Sequence, residues 1–203
     1  MIHLLTKNTL PHLICHQFIP GFTFLVLGIL LTYKTISPIR TALSIILIFL
    51  YSYFIHKLFH HLPKPINIHM FIHHNHKNEN NSFVKYTNLF IECLMNIFFF
   101  VLFYYIQQGL SNHFVPNIII FYYGFVYTTI HIINYSIFHC SKAHVIHHKT
   151  GANINKTCNY GPDVLDHLFK TNYDEKIENY NHILLNIIFA FFASYYVFKP
   201  TIV

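Results

Sequence analysis

Charge is what this chain has least of: Asp, Glu, Lys and Arg make up 10% of its 203 residues, against 54% hydrophobic ones. A soluble globule carries roughly a quarter charged residues, so a water-soluble domain is excluded and membrane residence remains. Only seven of the charged residues are acidic. That is too few for a soluble four-helix di-iron site built from Glu and Glu-x-x-His; only Glu92, Asp163 and Asp166 lie near the motifs described below. The four cysteines, Cys15, Cys93, Cys140 and Cys158, form no CxxC pair, which argues against a disulfide framework and for reduced thiols. Tryptophan is absent, while Ile, Phe, Tyr, Leu and Asn dominate; this bias fits AT-rich coding and says nothing about function. There is also no G-x-G-x-x-G nucleotide loop and no His-Pro-Gly-Gly haem-binding segment, so electrons for any redox chemistry must come from a separate protein.

The apolar residues fall into five runs, 18–33, 41–55, 88–106, 115–138 and 183–198. About 20 apolar residues span a bilayer. The third and fourth runs meet this length. The first two read as a helical hairpin that just spans or dips in, and the last spans or lies in the interface. The expected fold is all-α, an integral membrane domain of four to five hydrophobic helices with a histidine-rich helical cap. It is one domain over 1–203: an N-terminal segment 1–17, a hairpin 18–55, a first His loop 56–87, a second hairpin 88–138, a second His loop 139–182 and an apolar segment 183–203. Residues 1–17, with three histidines, Pro11 and one lysine, do not read as a cleavable signal. The net charge of +6 does not signal nucleic acid. Nine of the 13 basic residues sit in the two His loops: Lys57, Lys64, Lys77, Lys85, Lys142, Lys149, Lys156, Lys170 and Lys176. The positive-inside rule places both loops in the cytosol. The intervening hairpin independently returns the chain to the side it left.

Those loops carry the chain's chemistry. Histidine recurs as His56-x3-His60-His61, His69-x3-His73-His74 and His144-x2-His147-His148. Residues three or four apart share a helix face, so each cluster aims several imidazoles at one point. Buried neutral rings need partners, and core packing does not repeat an H-x2-3-H-H pattern. His131, near the cytosolic end of the fourth run, and His139, two turns on, are further candidates, because an ionisable residue in a membrane helix is a functional site by default. The isolated His3, His12, His16, His113 and His182 read as interfacial residues. An all-imidazole set suits Fe, Zn or Cu. Nine or ten donors exceed the four of a structural zinc, which implies two metals with open positions and so oxygen chemistry.

The motif His56-Lys-Leu-Phe-His60-His61, followed by His69-x3-His73-His74, resembles the first two motifs of the fatty acid hydroxylase / sterol desaturase superfamily. The stretch Ala143-His144-Val-Ile-His147-His148-Lys149, then Asn159-Tyr160-Gly161 and Asp166-His-Leu168-Phe169-Lys-Thr171, is similar to that family's last motif and its trailing NYG…DxLFGT signature. The resemblance covers about residues 51–171. It implies a multi-pass membrane enzyme with two iron ions, zinc being a possible substitute, held by His56, His60, His61, His69, His73, His74, His144, His147 and His148. His131 stands for the penultimate motif, and His139 for its missing partner. Asp166 and Glu92 are implied as residues supporting the ligands. The implied partners are a lipid substrate, O2 and an electron donor such as cytochrome b5 or a reductase; the implied location is the endoplasmic reticulum if the host is eukaryotic. The sequence departs from the pattern at Tyr135, one turn after His131, at Lys170, which replaces the signature glycine, and at His167, where an aromatic is frequent. A metal transporter or a catalytically silent relative is the alternative reading.

Overall fold

Capping residues and prolines cut the apolar sequence into helices. The computed structural model describes residues 9–63, 67, 69, 81–149, 160–172 and 178–202. After α1 (Thr9–Thr32) the Ser37 hydroxyl accepts from the Arg40 amide at 3.3 Å, and Pro38 opens α2 (Pro38–His61). Serine fills the need of an orphaned amide at the helix start, and proline at the first position has no amide to lose. α2 ends where Leu62 turns extended before Pro63, because the proline ring clashes with a helical predecessor. The Asn81 side chain caps α3 (Ser82–Gly109), accepting from Phe83 at 2.9 Å. α4 (Asn117–Thr129) follows Pro116 and runs directly into a π-helical stretch, Ile130–Ile137. α5 (Lys142–Lys149) and α6 (Asp163–Phe169) are short. A 3-10 turn, Tyr180–Ile183, leads into α7 (Leu184–Ile202). No strand occurs among the described residues.

Among the described residues, four segments are long and apolar enough to cross a membrane: Pro38–His61, Ser82–Gly109, Asn117–Ile137 and Tyr180–Lys199. His16–Thr32 is a shorter apolar helix. The second apolar run, 15 residues in the sequence, becomes a 24-residue helix because polar residues at both ends join it. The first His cluster therefore sits on the end of a span rather than in a loop. The last run reaches spanning length once the 3-10 turn is counted.

Asn117–Ile137 is the central segment. It is 67% buried, against 22–33% for the other three, and α4 packs on α1, α2, α3 and α7. A side chain at Gly124 would place its Cβ 2.9 Å from the Phe100 ring, so this glycine is what lets α3 approach so closely. On α3, Phe83, Phe90, Leu94 and Phe98 face outward, as lipid contact requires. Below this bundle, α6 ends at Lys170 with φ 56° and ψ 38°, the left-handed cap where glycine is favoured and a Cβ costs about 1 kcal/mol. Replacing Lys170 by glycine is expected to stabilise the protein by about that much, read as a higher melting temperature in detergent.

Candidate metal centre

Helical spacing builds the first half of the site. His56 and His60, four apart on α2, lie on one face and are 1% and 3% exposed. His61, one residue on, falls on the exposed side, with its Nδ1 2.8 Å from the Lys57 carbonyl. His69 and His147 approach His60 from elsewhere in the chain and are buried. His56, His60, His69 and His147 each offer a ring nitrogen, and the four nitrogens lie within 4.8 Å of one another. His73 and His74 lie outside the described residues.

The arrangement of these nitrogens fits a metal. The His56 Nδ1 lies 3.2 Å from the Tyr160 carbonyl, which can only accept, so Nδ1 carries the proton and Nε2 the lone pair. That Nε2 points at the His60 Nε2, 3.2 Å away, which also lies 3.1 Å from the His69 Nε2. A single proton can fill one of these contacts; a cation among the nitrogens satisfies both. Nitrogens sharing a first-row metal at 2.0–2.1 Å stand roughly 3.0–3.4 Å apart, which matches this spacing.

A second group lies beside the first. On α5, the Nε2 atoms of His144 and His148 are 2.7 Å apart. The His144 ring centre is 5.3 Å from that of His131, which in turn is 6.3 Å from that of His56. His131 sits in the π-helical stretch, where hydrogen bonds five residues apart widen the turn, a deviation frequent at functional sites. Its Nδ1 lies 3.1 Å from the Tyr127 carbonyl, so by the same reasoning Nδ1 carries the proton and Nε2 the lone pair. Tyr135 occupies the next turn, and its ring lies against that of His144, tilted by 32° with centres 4.5 Å apart. His139 is exposed, with φ 52°, beyond the π-helical stretch.

The supporting residues are mostly distant in sequence. Asp166, wholly buried, accepts from Thr171 at 2.8 Å, and Thr171 meets the Tyr53 hydroxyl on α2 at 2.7 Å. Gly161 lets this loop lie against α2, since a Cβ there would come within 3.2–3.4 Å of Tyr53; the neighbouring Tyr160 carbonyl thereby reaches His56. Glu92, on α3, accepts from Ser136 at 2.9 Å. Tyr127 is a support that the sequence pattern did not mark: its ring lies 4.2 Å from His131 and its hydroxyl 3.4 Å from the His56 Nδ1.

Glu178 is another. Its carboxylate takes the Ser141 hydroxyl at 2.6 Å and the Ala143 amide at 2.8 Å, and Ser141 in turn accepts from the His144 amide at 3.0 Å. The start of the helix bearing the third cluster is thus fastened from 35 residues away. Replacing Glu178 by alanine removes two charge-assisted bonds and is expected to cost on the order of 2–4 kcal/mol. Melting temperature and metal retention during dialysis should both fall, with glutamine intermediate.

Burial pushes the Asp163 carboxyl up to about 7, with the Glu178 charge adding to the rise and Gln17 opposing it. Unfolded, an aspartate titrates near 3.9. A carboxyl raised in the fold destabilises it when ionised; this cost is full above about pH 7 and shrinks as pH falls towards 4. The melting temperature of an Asp163→Asn variant, relative to wild type, is therefore expected to be highest at pH 8 and to decline towards pH 5. A difference independent of pH would contradict this.

No curated protein and no solved structure matches the chain. The family model for fatty acid hydroxylases matches residues 41–171, a stretch that takes in α2, the converging histidines and the loop that ends at Thr171. The chain belongs to the fatty acid hydroxylase family.

Proposed function

We propose that this protein is a membrane-bound, oxygen-dependent lipid hydroxylase or desaturase with a di-iron centre. One observation carries the reading: in a member of this family, His56, His60, His69 and His147 bring four buried nitrogens within 4.8 Å of one another. His131, His144 and His148 lie close enough beside them to serve a second ion. Bound there, two iron ions would supply the redox chemistry that lets O2 attack an unactivated C–H bond.

The protein's own work is orientation and exclusion. Carbonyl oxygens of Tyr160 and Tyr127 fix the tautomers of His56 and His131, turning Nε2 inward. Asp166 holds the segment that carries the Tyr160 carbonyl, and Glu178 holds the start of α5. The apolar walls around His131 keep water from a reactive intermediate. Electrons come from a separate donor such as cytochrome b5 or a reductase, and the lipid enters along the bilayer. The histidine cap faces the cytosol, at the endoplasmic reticulum in a eukaryotic host; glycosylation at Asn80 or Asn155 in cells would overturn that orientation.

A metal transporter fits less well, since such proteins place ligands at mid-bilayer in broken helices, whereas these histidines gather at helix ends. The purified protein should retain two iron ions per chain and consume O2 when supplied with a reductant and lipid. Fewer than two tightly held metals, together with metal flux in liposomes, would favour the transporter.

A further inference from the structure

A cavity of about 230 Å³ lies between α1, α4, α7 and the loop entering α6. Its walls are almost wholly apolar, formed by Pro20, Phe24, Phe49, Val126 and Ile187. His131 reaches the same cavity, so the histidine centre borders it directly. Gln17 and Asp163 stand out against these walls. The Gln17 amide donates to Asp163 Oδ2 at 2.9 Å across 146 residues of sequence. The Gln17 side-chain oxygen takes no hydrogen bond from any described residue. Asp163 is only 8% exposed, and its raised titration leaves it substantially protonated near neutrality. The pair therefore presents an unused acceptor on Gln17 and, on Asp163, a carboxyl that also takes the Glu178 amide and lies 3.9 Å from His167 Nε2 but can donate when protonated, the two poles that a hydroxyl group needs.

Size limits the occupant. A cavity of about 150 Å³ holds a benzene ring, so this one takes roughly nine or ten heavy atoms. A short stretch of acyl or alkyl chain fits, whereas a fused tetracyclic nucleus does not. The remainder of the lipid must stay outside the cavity.

We propose that this cavity is the substrate chamber and that Gln17 and Asp163 grip a hydroxyl of a flexible-chain lipid, so that the carbon presented beside His131 lies within a few bonds of that hydroxyl. The proposal rests on the lipid-oxidising function and adds the class of substrate and the region oxidised. The Gln17 Oε1 accepts a hydrogen bond from the hydroxyl, and the protonated Asp163 carboxyl donates one to the hydroxyl oxygen. Pro20, Phe24, Val126 and their neighbours enclose the adjoining methylenes.

A binding measurement tests this independently of turnover. Metal-loaded protein in detergent is titrated with a long-chain primary alcohol and with the alkane of equal length, and binding is read by thermal shift. The alcohol should bind at least tenfold more tightly, and Gln17→Met should erase most of that preference while leaving alkane binding in place. Asp163→Leu serves as the second variant should Gln17→Met fail to fold. Val126→Phe, which fills the chamber, should abolish both bindings. Equal affinity for alcohol and alkane in the wild type would overturn the proposal, as would a preference untouched in both polar variants. If the protein oxidises lipid but shows no alcohol preference, the anchor is wrong and the function stands. If the preference is present without turnover, the anchor stands and the oxidising function falls.

Discussion

Replacing His60 by alanine is expected to strip the centre of tightly held metal and to reduce lipid oxidation by on the order of 100-fold or more. Removing a residue that merely supports a ligand costs 10- to 100-fold in metal affinity or activity, and His60 is itself one of the four residues whose nitrogens could hold the ion. Its Nε2 is 3.2 Å from that of His56 and 3.1 Å from that of His69, and its ring centre is 4.7 Å from that of His147. His60 therefore meets each of the other three histidines of the group. The loss should be larger than for His61→Ala, because His61 lies on the exposed side of the same helix with its Nδ1 at the Lys57 carbonyl. Metal analysis of the two purified variants after dialysis against a chelator separates them. Equal metal retention would show that His60 is not at the hub.

Substitution of Asp166 by alanine should produce the second-largest effect, through a different route. Asp166 is wholly buried and acts on the loop that carries Tyr160. It accepts from Thr171, which meets Tyr53, and it lies 3.5 Å from the Tyr160 amide. Tyr160 is the residue whose carbonyl fixes His56. Alanine would leave the Thr171 hydroxyl without its buried acceptor, at a cost of about 1–3 kcal/mol, more because the lost partner is charged. His56 would then be free to turn, so metal affinity should fall 10- to 100-fold. Asparagine keeps an acceptor in place and should recover much of the loss. A variant that melts early but holds metal as wild type does would confine Asp166 to the fold.

The helices and the ligand faces were legible in the sequence for the same reason: both depend on local periodicity. Apolar runs marked the spans, and spacings of three and four marked which histidines share a face. Run lengths understated α2, because the histidines that end it are polar by composition but helical by spacing. The π-helical stretch around His131 was not legible, since a widened turn has no compositional signature here. Its consequence, Tyr135 packed against His144 one turn from His131, was visible only as a departure from the family pattern. The long-range supports were hidden too. Tyr160 reaches His56 across 104 residues, and Glu178 reaches α5 across 35. A tyrosine carbonyl or a lone glutamate in a loop carries no motif. Gln17 and Asp163, separated by 146 residues, become neighbours only when α1 packs beside the loop before α6.

Under the proposed function, the histidine centre inserts oxygen into, or removes hydrogen from, a lipid of the membrane that holds it. Growing cells under isotopically heavy oxygen, with either the wild-type protein or His60→Ala at matched expression, and comparing their extracted lipids tests this most directly. The expected result is a lipid species confined to the wild-type cells, either carrying one heavy oxygen or lacking two hydrogens relative to its precursor. Identical lipid profiles in the two strains, with the wild-type protein folded and metal-loaded, would contradict it.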